Sequence, residues 1–159
     1  MVFLVGAEGN GIAEERIRGF RDGLKSHGLP WRNEYVIQDC WKIEAGIRYA
    51  SLLLEQPDPP TAIIAGNNTL TVGVLEAIRN HGMVLGKDIS LIGFEESDED
   101  VQAFARYGIT SFRLDTSAIA SSAVKLLLDR LEGAGTNAGA CIESLELKFI
   151  ERTSVIHIS

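Results

Sequence analysis

Cysteine is scarce in this chain: there are two, Cys40 and Cys141, in 159 residues. They have no metal-ligand spacing and form no disulfide framework. Positive charge is in deficit as well, with 15 Lys and Arg against 22 Asp and Glu and a net charge of −7. Binding nucleic acid by charge alone is therefore disfavoured, because phosphate contacts need clustered Lys and Arg. No apolar run approaches the ~18–20 residues of a membrane span. Val2-Phe3-Leu4-Val5 is too short for a signal peptide and lacks the basic flank of one. Proline occurs only at Pro30 and in the run Pro57-Asp58-Pro59-Pro60, and both places end a helical pattern. A globular, cytoplasmic protein with no membrane partner is the expectation.

What is present is an ordinary core-forming composition, 45% apolar and 23% charged. A chain of this length suits one domain. It can bury roughly 68–70% of its unfolded surface, so neither a disulfide nor a metal is needed to fold it.

Short continuous apolar strands alternate with helical patterns. Val2–Val5 leads through Gly6–Gly11 into a helix with Ile17, Phe20 and Leu24 on one face, stopped at Gly28. Tyr35–Ile37 precedes a second helix carrying Ile43, Ile47, Ala50 and Leu54. Ala62–Ala65 precedes a third, with Leu70, Val74, Ala77 and Ile78, closed near Gly82. Ile89–Ile92 is a fourth strand, and the acidic stretch Glu95–Phe104 holds a helical turn or two. Such alternation predicts βαβ units and a parallel α/β sheet covered on both faces. The last third differs: Ile109–Phe112 is extended, a long helix runs from Thr116 to Leu131, and a loop follows at Gly133–Asn137. Leu145–Phe149 alternates with period two, as a half-exposed edge strand does.

Open α/β sheets bind ligands beyond the carboxyl ends of their strands. Those ends present Glu8–Gly11 with Arg16, then Gln38, Asp39 and Trp41, then Asn67 and Asn68, then Glu95 and Glu96. Carboxylate, guanidinium and carboxamide groups suit hydroxyls, and an indole offers a flat face to a sugar ring or base. Local roles compete with this one. Asn68 is expected to cap the third helix, and Asn67 fits either role. Arg16 could pair with Glu8 or Asp39, and Trp41 could anchor a loop. From Glu96 onward, the acids read as a solvated run with Asp98, Glu99 and Asp100.

Enzyme signals are weak. Gly6–Gly11 is neither G-x-G-x-x-G nor a phosphate loop, and no G-x-S-x-G elbow occurs. His27 and His81 precede glycines at helix ends, where the helix dipole favours them, and His157 lies in the tail. Cys40 reads as a small apolar residue. No catalytic residue, cofactor or metal is expected. A small α/β hydrolase using Glu95, Asp39 or His81 is the enzyme alternative. Two helices carry surplus apolar surface: Val72 and Leu75 form a second stripe on the third helix, and the long helix is apolar over a broad arc. The first stripe predicts a dimer interface, and the arc predicts burial against something large.

Several stretches together resemble the effector-binding core of LacI/GalR-type bacterial transcription regulators. They are Glu15-Arg16-Ile17-Arg18-Gly19-Phe20, Pro60–Asn68, Val72-Gly73-Val74-Leu75, Asp88–Glu95, Ile109-Thr110-Ser111-Phe112 and Phe149–Ser154, in family order and spacing. The resemblance implies a three-layer αβα, Rossmann-like lobe of the periplasmic-binding-protein type. Residues 1–112 would form the C-terminal lobe. Residues 113–159 would be the crossover helix and strands that pack on an N-terminal lobe. It implies ligand contacts at Arg16, Trp41, Asn67 and Glu95, a homodimer through the helix of Val72 and Leu75, and a sugar or nucleobase effector. Operator DNA would be bound only through a headpiece that this sequence does not contain, so the chain is expected to be an excised part. Three departures stand out. Glu95 replaces the family's Asp, Asn67-Asn68 replaces Asn-Asp, and Leu114 replaces a common Gln. A segment of a periplasmic sugar-binding transport protein is the other family-level alternative.

Overall fold

The computed structural model describes residues 1–131 and 143–156. Cys141, His157 and the Gly133–Asn137 loop lie outside them. In chain order the elements are β1 (Val2–Val5), α1 (Gly11–Ser26), β2 (Val36–Gln38), α2 (Ile43–Leu54), β3 (Ala62–Ala65), α3 (Asn68–Asn80), β4 (Ser90–Glu95), α4 (Asp98–Tyr107), β5 (Thr110–Arg113), α5 (Thr116–Leu131) and β6 (Lys148–Ile150). They build one six-stranded sheet of order β2-β1-β3-β4-β5-β6, parallel except for the antiparallel edge strand β6.

Strand order and crossover handedness determine the layers. The step from β1 to β2 runs one way across the sheet, and the steps from β2 through β5 run the other way. Right-handed connections then place α1 on one face and α2, α3 and α4 on the other. Strand β1 shows both faces in use. Val2 and Leu4 join a core cluster with α2, α3 and Phe104 of α4, whereas Phe3 and Val5 join one with Ala13, Ile17 and Phe20 of α1. This is the period-two alternation of a strand buried on both sides, so the α/β expectation holds.

Local signals account for the element ends. The Asn10 side chain accepts from Ala13 N–H at 3.1 Å and starts α1. The α4 segment is a full ten-residue helix rather than a turn or two, because Ser97 and Asp100 form a capping box. Gly108, in the left-handed conformation, ends it. His27 and His81 are helix C-caps, as the sequence suggested. Helices α2 and α3 meet backbone to backbone at Gly46 and Gly73, where a Cβ on either would overlap the opposite main chain.

Two surfaces differ in how they are covered. Leu75 is only 8% exposed and belongs to the core, and Val72 is half-buried against it. The expectation that this stripe is surplus apolar surface is corrected for Leu75, which the chain itself covers. A shallow groove between α3 and α4 remains, lined by Val72, Leu75, Glu76, Arg79 and Tyr107. By contrast, α5 buries none of its residues, and Ile119, Val124, Leu127, Leu128 and Leu131 are all exposed.

Candidate functional site

Strands β1 and β3 are neighbours, yet the chain leaves them towards opposite edges of the sheet. Their carboxyl ends therefore form the topological switch point, where the loops part and leave a crevice. Two glycines stand there, Gly6 after β1 and Gly66 after β3. Gly66 N–H donates to Leu4 O at 2.8 Å. The indole of Trp41, on the loop after β2, lies across both. A Cβ at Gly6 would overlap the indole, and one at Gly66 would sit 3.1 Å from it. The Thr69 hydroxyl donates to Trp41 O at 2.9 Å and holds the loop. Trp41 is half-buried, so the two glycines make room for a flat aromatic platform with an accessible side. Gly6→Ala is expected to displace Trp41 and cost about 1–3 kcal/mol through overpacking. A loss of protection of Trp41 from fluorescence quenching would report it, and unchanged fluorescence and melting would count against it.

Arg16 borders this platform from the second turn of α1. Its Nη1 donates to Gly66 O, and its guanidinium carbon lies 4.2 Å from the Phe94 ring centroid and 5.7 Å from that of Trp41. Burial lowers its pKa from the ordinary value, with Glu96 opposing. The cation is thus held by two ring faces and a carbonyl. It pairs with neither Glu8 nor Asp39. Asp39 instead accepts from Cys40 N–H at 2.6 Å and pairs with Arg48, and the Cys40 bond is the main reason its pKa lies below the usual range.

Capping falls to Asn67, which fitted either role, and not to Asn68, for which it was expected. Asn67 is the N-cap of α3, its Oδ1 accepting from Leu70 N–H at 2.9 Å. Asn68 reaches across to α4, its amide donating to Asp100 Oδ2 at 3.0 Å.

Glu95 does not reach the rim. It is 0% exposed, on the side of the sheet that faces α3 and α4. Its Oε2 accepts from Arg113 Nε at 2.7 Å, and its Oε1 lies 2.6 Å from Arg152 Nη1. Burial pushes its pKa up, but hydrogen bonds from Arg113, Arg152 and Ser111 prevail and hold it below the usual carboxylate range. Arg152 also donates to Ile109 O and to the Ser111 hydroxyl, the latter at 3.1 Å. Arg152 belongs to the Phe149–Ser154 stretch that carries the resemblance, whereas nothing in the sequence marks Arg113. Alternation along β4 carried a signal: Leu91, Gly93 and Glu95 share one face, and Gly93 abuts Thr71 of α3.

Glu96 lies one residue further on. It is half-buried, which raises its pKa; Arg16 lowers it and Asp100 raises it again. It therefore differs from a solvated acid. It lines a cavity of about 360 Å³ at the ends of β4 and β5, together with Asp98, Glu99, Arg113 and Leu114. Among the described residues, no group of three or more His, Cys, Asp and Glu could hold a metal ion, and no helix is long and apolar enough to cross a membrane.

The family profile described as the periplasmic binding protein-like domain matches residues 1–155. The chain belongs to this family. Among curated members, it is 26% identical over 144 residues to the HTH-type transcriptional repressor CytR of Escherichia coli strain K12, covering 91% of this chain and 42% of that protein. It is 27% identical over 158 residues to the probable HTH-type transcriptional repressor ExuR of Bacillus subtilis strain 168, covering 98% of this chain and 45% of the relative. The chain thus spans less than half the length of these periplasmic binding protein-like relatives. Among solved structures, it superposes with a TM-score of 0.83 on a putative LacI transcriptional regulator from Bacillus cereus subsp. cytotoxis at 25% identity, covering 96% of this chain and 53% of that one. A LacI-family regulatory protein from Chloroflexus aggregans gives a TM-score of 0.84 at 24% identity, covering 97% and 54%.

Proposed function

We propose that this chain is the effector-sensing and dimerisation module of a LacI/GalR-type transcriptional regulator, a cytoplasmic binding module rather than an enzyme. The observation that carries this is the switch-point platform, with Trp41 seated flat on Gly6 and Gly66 beside the clamped guanidinium of Arg16. A flat aromatic face beside a fixed donor fork suits a ring bearing hydroxyl or amide groups, as sugars and nucleobases do. Asn67 supports the platform by capping α3. Glu95 ties β4, β5 and the 152–156 segment together instead of facing the ligand.

The proposed division into residues 1–112 and 113–159 is supported only for α5, which exposes an apolar arc suited to a second lobe; β6 and the 152–156 segment pack on the first part, through β5, Glu95, Thr110 and Leu91. The α3–α4 groove with Val72 and Leu75 is the surface proposed for the homodimer. An effector gripped between two lobes would favour one lobe arrangement, and the dimer would pass that bias to DNA-binding segments elsewhere in the protein.

Thermal unfolding with a panel of hexoses, pentoses, nucleosides and nucleobases tests the reading. A ligand at ten times its Kd adds about 1.4 kcal/mol, a rise in Tm of about 3–6 °C. A panel in which no compound raises the Tm at 10 mM, or in which a compound is turned over, would overturn it.

A further inference from the structure

We propose that the face of the sheet shared with α1 is a docking groove for helix α5 of a second copy of this chain, and that two copies exchange their α5 helices about a two-fold axis. This is independent of the effector-sensing reading above. Helices α2, α3 and α4 cover one face of the sheet, and α1 lies on the other. Helix α1 packs on Phe3 and Val5 of β1. Beside it, strands β3 to β6 span about 14 Å at about 4.8 Å a strand, room for one more helix of about 10–12 Å. The floor of this groove is apolar. In-register pairs carry the rings of Phe94, Phe112 and Phe149 across β4, β5 and β6, with centroids 5.4 and 5.2 Å apart. Two cavities of about 310 and 420 Å³ lie along the floor, one towards each end of the strands, and share Ile64 as a wall.

Helix α5 is the complement. Its 16 residues make a rod about 24 Å long, against about 20 Å for the six residues of β4. Ile119, Val124, Leu127, Leu128 and Leu131 fall within one half of its circumference and are all exposed, whereas Ser121, Lys125 and Asp129 take the other half. The helix does not lie in its own chain's groove, since none of its residues is buried. Its start is pinned at the carboxyl edge of the sheet. Leu114 N–H donates to Glu95 O at 3.0 Å, and Asp115 accepts from Ala118 N–H at 3.0 Å and pairs with Lys148 of β6 at 3.5 Å.

A second copy is the occupant because one chain supplies both unmatched surfaces. A two-fold exchange fills both grooves and covers both helices at once, and a two-fold contact closes on itself. A rod of those dimensions half-sunk in each of two grooves buries about 1,500 Å² in total, close to the ~1,600 Å² of a stable interface. The groove lies on the opposite side of the sheet from the α3–α4 groove of Val72 and Leu75, so the two contacts can be separated by substitution.

The test starts from Tyr107→Glu, which spoils the α3–α4 groove. This chain is expected to stay dimeric in sedimentation velocity at micromolar concentration. Adding Leu127→Glu and Leu131→Lys places a charge pair at i, i+4, which keeps the helix. It is expected to weaken dimerisation at least about tenfold, because the charges would enter an apolar contact. Adding Leu147→Glu and Phe149→Glu instead spoils the docking groove, with the same expected loss. All four side chains are exposed in the single chain, so melting should show that both variants still fold. Mixing the helix variant with the groove variant is the decisive arm. Exchange leaves one intact helix facing one intact groove, so native mass spectrometry is expected to find the heterodimer in preference to either homodimer. A contact between two α5 helices gives no such rescue, and absence of the heterodimer overturns the proposal. So does a monomeric Tyr107→Glu chain, in which case any dimer of the parent belongs to the α3–α4 groove. Dimers that ignore both sets of substitutions overturn it as well.

Discussion

Glu95→Ala is expected to lower folding stability by about 3–5 kcal/mol, the usual cost of removing one partner from a buried ion pair. The substitution leaves Arg152, 13% exposed, and the half-buried Arg113 facing each other with no anion between them. It also unties three separate pieces of chain: the end of β4, the end of β5, and the segment running from Arg152 to Ser154. That segment is stitched to the sheet by the Ser154 hydroxyl, which accepts from Thr110 N–H at 2.8 Å and donates to Leu91 O at 2.5 Å. Glu95→Gln keeps the shape and loses the charge, so a smaller loss is expected. The pH dependence has a definite sign. The folded-state pKa of Glu95 lies below its ordinary value. Its contribution is therefore full above the unfolded pKa, about 4.3, and disappears as pH falls through the lower folded value. Urea denaturation should show the two proteins far apart at pH 7 and converging below about pH 4. A difference under about 1 kcal/mol at pH 7, or a gap that does not narrow in acid, would remove Glu95 from this role.

Gly73→Ala is the second large effect, and its sign depends on two opposed contributions. Alanine gains about 1 kcal/mol over glycine in helix propensity. Against this, a Cβ at Gly73 would overlap Ile43 O and stand 2.9 Å from both Gly46 Cα and Ile47 N. All three atoms are main chain, so no side chain can swing away and α2 must separate from α3. Overpacking of this kind costs about 1–3 kcal/mol and sometimes more, and a net loss of about 2 kcal/mol is expected. Gly46→Ala meets Leu70 O at 2.7 Å and Gly73 Cα at 3.0 Å, the same contact from the other side. The double variant should therefore lose less than the two single losses added together. Gly19 and Gly23 on α1 provide the contrast, since nothing lies within 4 Å of a Cβ at either. Alanine there should raise stability by about 0.5–1 kcal/mol. If Gly73→Ala proved as stable as the parent chain in chemical denaturation, the close helix crossing would be refuted.

Most of the architecture was legible because it depends on local pattern. Continuous apolar strands between amphipathic helices implied a covered parallel sheet, and the long apolar helix implied a partner that the described residues do not supply. The site was legible in part. Arg16 and Trp41 stand together at the switch point, where the strand-end rule placed them. Asn67 and Asn68 were harder: either can cap, and a contact from Asn68 to Asp100, 32 residues away, selects between them. Leu75 appeared free to face a partner because helical periodicity describes one helix alone. Packing between elements places it in the core cluster with Phe104 of α4.

The sequence by itself pointed to the family through its motifs, and it determined the order of the elements and the crevice between strand ends, because these last two follow from periodicity, turn chemistry and strand connectivity. Only the tertiary structure decided that, of two adjacent acids, Glu95 is the one spent on the fold. Glu95 is taken by arginines 18 and 57 residues further along the chain. Burying a carboxylate is tolerated only where such partners converge on it, and no local pattern reports that convergence.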